Sequence, residues 1–250
     1  MTENRMAADG AGGGGDADTV KRLHGYTEIE VTRKLILAIF EQRLPPGQRI
    51  TEAQLSEAFN VSRTVVRQSI SKLSEIGVFT KTPNQGCTIA SPSRDEARKM
   101  LQLRIMVEPA MVRGIAATRS AADVGLLRDH IALENDARSR QDRSTLVRLT
   151  GEFHLKLAEM SANPYLIRLM TELQVLTCLA ILVHAEAETC CPRDEHSTIV
   201  EAIARGDGDA AHDEMLHHLK HITEELNLDR DEPEPNLRNA FMWLRGAISA

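Results

Sequence analysis

Apolar residues recur every three or four positions along most of this chain, and the places where that rhythm breaks mark the joints between elements. Residues 24–43 carry one such stripe, with Ile29, Ile36, Ile39 and Phe40 among its apolar members, and it stops at the Leu44-Pro45-Pro46-Gly47 turn. Thr51-Glu52-Ala53-Gln54 then matches a capping box and opens a short helix with Leu55 and Phe59 four apart. Asn60-Val61 leave room only for a tight turn before Ser62, whose hydroxyl can cap the next helix. From Ser62 to Gly77 the run SRTVVRQSISKLSEIG puts Val66, Ile70 and Leu73 on one apolar stripe and Arg63, Thr64, Arg67, Gln68 and Ser71 on the opposite face. Two short β-prone runs follow, Val78-Phe79-Thr80 and Cys87-Thr88-Ile89, separated by turn formers at Thr82-Pro83-Asn84-Gln85-Gly86, which predicts a hairpin.

Taken alone, an amphipathic helix with two arginines is as easily a solvated surface helix as a DNA reader. The order helix, tight turn, capped basic helix, hairpin changes that reading. It is the order of a winged helix-turn-helix, in which the second helix enters the major groove.

After Ser91-Pro92-Ser93, read as a linker, the helical period resumes and continues almost to the end. It predicts helices near 94–118, 122–139, 143–161, 164–189, 193–205 and 208–227, broken at Ser120, Asp142, Asn163-Pro164, Pro192 and Gly206-Asp207-Gly208. Helices joined by such short connections form an antiparallel bundle, whose core is a natural place for a pocket. The fold class expected is therefore mainly α: an N-terminal winged helix-turn-helix over 21–90 and a C-terminal antiparallel six-helix bundle over 94–228. Residues 1–20, rich in Gly, Ala and Asp, read as a disordered arm. Residues 229–250 read as a tail, acidic and proline-containing at first, with a short helix possible around Phe241 and Trp243.

Composition changes this picture in two respects. Aromatic residues are 3% of the 250-residue chain, which suits aliphatic helix packing. The net charge of −6 is unevenly spread: −3 over 1–20, +4 over 21–90 and −7 over 91–250. Only the segment with the helix-turn-helix is positive, as expected of a DNA-binding module joined to a unit with other business. No apolar run approaches the roughly eighteen residues that span a bilayer, and the N-terminus lacks an apolar signal region, so a cytoplasmic location is expected. Cys87, Cys178, Cys190 and Cys191 show no paired metal-ligand spacing and read as free thiols.

Seven of the nine histidines fall at or after His154. His154, His196 and His218 lie on three different predicted helices, each beside residues of the apolar stripe. Neutral imidazoles converging from separate helices suit a borderline divalent ion such as zinc, nickel or manganese. The bland alternative is that each is a surface residue or a satisfied core hydrogen-bonder. Arg104 is the candidate for reading a carboxylate, because its guanidinium fork matches two oxygens. Its alternative role is an ion pair with Glu108 one turn on.

The string LPPGQRITEAQLSEAFNVSRTVVRQSISKLSEIGVFTKTPNQGCTIA, Leu44 to Ala90, resembles the winged helix of GntR-family bacterial transcription regulators. The likeness rests on the Pro-Pro-Gly turn, the Val-Ser-Arg-Thr helix start, Arg67, the Leu-x-x-x-Gly helix end and the wing glycine. It implies that Arg63, Thr64, Arg67 and Gly86 approach DNA, and Gln68, on the same helix face, is a further candidate. Many relatives carry a charged residue where this chain has Ala53-Gln54, so a contact there is in doubt. The second half resembles the FCD ligand-binding domain of the FadR subfamily, through Arg104-x-x-x-Glu108, Phe153-His154, Asn163, Glu195-His196, Gly206-Asp207 and His218-Leu219. That implies a dimerising six-helix bundle that holds a divalent metal through His154, His196 and His218 and binds a small organic acid near Arg104, Thr150 and Asn163. Relatives usually have an aspartate four residues before the first histidine, and this chain has Thr150 instead.

The function read from the sequence is a homodimeric, DNA-binding transcription regulator, a repressor by preference, on a palindromic double-stranded operator, with a small carboxylate effector. It is not expected to be an enzyme. The alternatives are a metal-dependent enzyme using the histidines, or a regulator whose C-terminal half only dimerises.

Overall fold

The computed structural model describes residues 26–82, 86–185 and 194–228. The expectations for residues 1–20, the wing tip Pro83-Asn84-Gln85, Cys190, Cys191, Pro192 and residues 229–250 lie outside the described residues.

The N-terminal unit is built as its sequence signals indicate. Helix α1 (Glu28–Phe40) starts from a capping box between Thr27 and Glu30, and α2 (Glu52–Phe59) from one between Thr51 and Gln54. Asn60 takes the left-handed conformation, φ +50°, which turns the chain sharply into Ser62, whose hydroxyl caps α3 (Arg63–Glu75). The side of α3 that packs inward is Val66, Ser69, Ile70 and Leu73, so the apolar stripe is indeed the buried one. The wing is β2 (Phe79–Thr82) and β3 (Gly86–Ile89), with Phe79 opposite Ile89. A further strand, β1 (Arg49–Ile50), pairs antiparallel with β3 and makes a three-stranded sheet of order β1-β3-β2. Two residues are too few to show a period, so β1 left no trace in the pattern. Gly86 permits the pairing: its φ is +90°, and a Cβ there would lie 2.3 Å from the Ile50 carbonyl oxygen.

The described residues of the second unit form six helices: α4 (Arg94–Thr118), α5 (Ala121–Ser139), α6 (Arg143–Met160), α7 (Pro164–His184), α8 (Glu195–Arg205) and α9 (Gly208–Glu225). Ser93, Ser120, Asp142, Asn163, Asp194 and Asp207 each cap the helix that follows, and Gly206, at φ +75°, closes α8. Pro109 sits inside α4 without ending it. Helix α7 stops at His184 rather than near 189, and the His184 Nε2 lies 2.7 Å from the Pro92 carbonyl at the linker.

Among the described residues two large apolar cores form beside a small cluster of Ala137, Leu146 and Leu149, and α7 belongs to both large ones. Met170, Leu173 and Ala180 join the bundle core with Leu101, Phe153, Leu157, Ile199 and Leu219. Val175, Cys178 and Leu179 join the winged-helix core with Leu35, Ile39, Phe40 and Leu73. A helix covered on two sides is apolar all round. That explains why α7 is long and apolar enough to cross a membrane by length and composition, although it packs between the two units. Helix α6 shares the seam: Val147 belongs to the winged-helix core, and a Cβ on Gly151 would meet the Phe40 ring at 3.4 Å and the Cys178 sulfur at 3.3 Å. The helix that carries His154 therefore abuts α1 directly.

Candidate metal centre and DNA-reading surface

The three histidines meet. His154 on α6, His196 at the start of α8 and His218 on α9 are buried, and each offers a ligand atom, all within 4.8 Å of one another. The Nε2 of His218 is 3.2 Å from that of His196 and 3.3 Å from that of His154. Each ring is turned by a carboxylate at its other nitrogen. Glu108 Oε2 faces His154 Nδ1 at 2.5 Å, Glu134 Oε2 faces His196 Nδ1 at 2.9 Å, and Glu195 Oε2 faces His218 Nδ1 at 2.8 Å. Glu108 and Glu195 are ionised and only accept, so the Nδ1 atoms of His154 and His218 carry protons and their Nε2 lone pairs face the centre, and Glu134, when ionised, orients His196 in the same way. Three converging lone pairs repel unless a cation lies between them. Imidazole nitrogens at about 2.0–2.1 Å from a divalent ion stand roughly 2.8–3.4 Å apart for angles between octahedral and tetrahedral. The two measured separations fall inside that range, so the donor set fits such an ion. Phe153 stacks on the His196 ring, with centroids 4.0 Å apart, and restricts its rotation.

The other candidate surface is the outer face of α3. Arg63, Thr64, Arg67 and Gln68 are all exposed there, opposite the buried stripe. Lys81 on β2 donates to the Ser71 hydroxyl at 3.0 Å, tying the wing to α3. The Arg67 Nε donates to Glu52 Oε2 at 2.8 Å, a cross-helix pair that helical spacing could not reveal. Gly86 lies at the base of the wing against β1.

Residues 27–89 match the bacterial regulatory proteins of the gntR family, and residues 99–221 match the FCD domain. The chain belongs to the GntR family of transcription regulators and carries an FCD domain. It is similar to the transcriptional repressor RspR of Escherichia coli, with 25% identity over 192 residues that cover 76% of this chain and 84% of RspR. It is likewise similar to the regulator LutR of Bacillus subtilis, with 26% identity over 207 residues, 74% of this chain and 94% of LutR. Among solved structures, Escherichia coli McbR/YncC superposes with a TM-score of 0.73 at 17% identity, covering 80% of this chain and 96% of that one. The relatives are transcription regulators, not enzymes, which removes the metal-dependent enzyme as an alternative.

Within this GntR regulator the charges around the histidines are strongly coupled. Burial pushes Glu108 up, but Arg104 and His154 outweigh it and hold its carboxyl at about 2. Burial raises Glu134 to about 7 against the pull of His130 and Arg138. Burial also opposes ionisation of Glu195, yet the hydrogen bond from His218 and the nearby His221 bring it down to about 2. Burial lowers His154 to about 3 and pushes His196 well below its usual range, so both imidazoles are neutral and able to ligate.

The effector candidates fare unevenly. Arg104 is buried, and its Nε donates to Glu108 Oε1 at 2.5 Å, so the ion pair weighed from spacing is present. Its Nη2 is buried with no hydrogen-bond partner, leaving a donor for a ligand oxygen. Thr150 is buried one turn before His154, with its hydroxyl donating to the Val147 carbonyl at 3.1 Å. Asn163 is exposed, and its side-chain oxygen caps α7 by accepting from Tyr165 N and Leu166 N at 3.0 and 3.4 Å. A cleft of about 820 Å³ at the seam between α1 and α6 is lined by Ile36, Phe40, Arg148 and Leu155 among others, and by none of the three histidines.

Sequence reasoning missed the carboxylates behind the histidines. Glu195 enters the sequence reading only as the neighbour of His196 in the likeness to the FCD domain, and Glu134 carries no motif of its own. Glu108 came into view only as a partner for Arg104. The signal was available as acidic residues inside buried helical stripes, where an unpaired charge is too costly to be accidental. His130, buried with its Nε2 2.8 Å from the Leu149 carbonyl, was also missed and stays outside the cluster.

Proposed function

We propose that this regulator binds a palindromic operator as a homodimer and represses transcription, and that a small organic acid bound in its FCD domain changes its affinity for DNA. In this reading α3 enters the major groove, Arg63, Thr64, Arg67 and Gln68 divide between base edges and phosphates, and the wing at Gly86 follows the backbone. His154, His196 and His218 hold a divalent ion, zinc, nickel or manganese, which supplies positive charge for a carboxylate. Arg104 adds its unpartnered Nη2. Thr150 brings no charge to the centre, so the ion keeps open positions for water or the effector.

The observation that carries the reading is the convergence of three histidine ligand atoms, with each ring facing its own glutamate at the other nitrogen. Structural histidines need no such arrangement. Repression is supported by relatives named as repressors, RspR among them. Coupling is supported by α6, which carries His154 on one side and packs Val147 and Gly151 toward α1 on the other. A shift of α6 on ligand binding would move the winged helix, and ligand and operator affinities would then be reciprocally linked. A regulator of this kind works in the cytoplasm, where bacterial DNA is.

The test is a thermal-shift screen of the metal-loaded protein against small carboxylic acids, followed by promoter-fragment binding with each hit. Stabilisation by a subset of acids, together with altered DNA affinity, is expected. A flat response across the panel would favour a C-terminal half that only dimerises.

A further inference from the structure

Arg67 projects from the DNA-facing side of α3 but does not hang free. Its Nε is held by Glu52 across the α2–α3 turn at 2.8 Å, with side-chain exposures of 65% and 33%. Glu52 is the first residue of α2, where the positive end of the helix favours an anion, and the Thr51–Gln54 capping box fixes the backbone beside it. No basic residue occurs anywhere in α2, so Glu52 has no cation of its own helix to pair with. An exposed pair of this kind adds little to stability. Its consequence is for the arginine.

A guanidinium has five N–H donors, and the pair occupies the one at Nε. The two Nη groups at the tip stay available, and they are the ones able to bond O6 and N7 of a guanine together. A carboxylate on the reading face also repels the phosphate backbone whatever the base sequence. We propose that Glu52 is a specificity-determining residue, which positions Arg67 for a guanine edge and opposes its use as a general phosphate contact. This rests on the family's DNA-binding function and on α3 being the reading helix. Glu52 itself touches no base and acts through Arg67.

The two effects have opposite signs, which separates them from a structural role. Neutralising Glu52 strengthens binding to arbitrary DNA and weakens binding to the selected site, whereas loss of a purely structural residue weakens both. The experiment selects binding sites from a random duplex pool with the full-length wild type, Glu52→Gln, Glu52→Asp, Arg67→Ala and the Glu52→Gln/Arg67→Ala double variant. Affinities for the wild-type site and for an unrelated duplex are then measured at low and high salt.

Expected is a guanine preference in each half-site that Arg67→Ala and Glu52→Gln lose and Glu52→Asp partly keeps. The ratio of specific to non-specific affinity falls about tenfold in Glu52→Gln. Its non-specific affinity rises about two- to fivefold at low salt, less at high salt, and the double variant matches Arg67→Ala in base preference. An unchanged guanine preference in Glu52→Gln overturns the proposal, as does a parallel loss on both duplexes with a lowered melting temperature. If the wild type enriches no sequence at all, the DNA-reading assignment of α3 fails first, and the role of Glu52 falls with it.

Discussion

Glu108→Gln is the most informative single change in the bundle. The carboxylate is fully buried and holds two partners at once, Arg104 Nε and His154 Nδ1, each at 2.5 Å. With its carboxyl held at about 2, it is charged throughout the neutral range, so the substitution removes a real charge. Arg104, 1% exposed, is left as a buried cation without an anion. Removing one partner of a buried pair destabilises by about 3–5 kcal/mol, and the lower end applies here because glutamine keeps the shape and accepts one of the two hydrogen bonds. For a protein of this size about 3 kcal/mol corresponds to a fall in Tm of roughly 6–12 °C. The second effect is on metal. His154 loses the anion that orients its ring, and such outer partners are worth about 10–100-fold in affinity. Urea unfolding of metal-free protein measures the first effect and competition with a chromogenic chelator the second. An Arg104→Met/Glu108→Gln double variant should recover part of the stability, since it removes the stranded cation. Unfolding of Glu108→Gln within about 1 kcal/mol of wild type would refute the buried charge pair.

Three further outcomes follow from the same geometry. Thr150→Asp places a carboxylate one turn before His154 and should tighten metal binding at least about tenfold while destabilising the metal-free protein, as read by chelator competition and melting in EDTA; unchanged affinity would place position 150 outside coordination reach. Metal-free stability should fall as pH drops from about 6.5 to 5, because His154 and His196 stay neutral when folded but take up protons when unfolded. Glu134, raised to about 7, acts in the opposite sense by holding a proton only when folded, so the net slope is about one proton, or about 1.4 kcal/mol per pH unit; a flat or reversed slope in urea titrations across that range would contradict it. Gly86→Ala should cost about 1–3 kcal/mol and loosen the wing, since its Cβ would fall 2.3 Å from the Ile50 oxygen in a left-handed backbone, and an unchanged melting profile would show that β1 does not pack there.

Local rules carried much of this fold. Helix starts were legible because each begins at a residue whose side chain caps it, from Thr51 and Ser62 to Ser93, Ser120 and Asp142. The inward face of α3 was legible from Val66, Ile70 and Leu73 alone. What escaped depends on contacts between distant segments. Strand β1 exists only through its pairing with β3, the Glu52–Arg67 pair joins two helices, and the dual packing of α7 appears only once the two units meet. At the candidate metal centre the histidines stood out by residue type, but Glu108, Glu134 and Glu195 each orient a histidine distant from them in sequence. Arg104 had two readings, and the structure gives both a footing: its Nε pairs with Glu108 while its Nη2 remains unpartnered. Asn163, which with Pro164 marks a break between helices in the sequence, caps α7, and that is the role its contacts support.

The proposed metal centre, His154, His196 and His218 of the FCD domain around one divalent ion, is open to direct measurement. Elemental analysis of purified protein, reconstituted with zinc, nickel or manganese and then dialysed, tests it directly against His154→Ala, His196→Ala and His218→Ala. Expected is close to one ion per chain in wild type for at least one of these metals, and a large loss in every variant. Equal metal content in wild type and all three variants would contradict it.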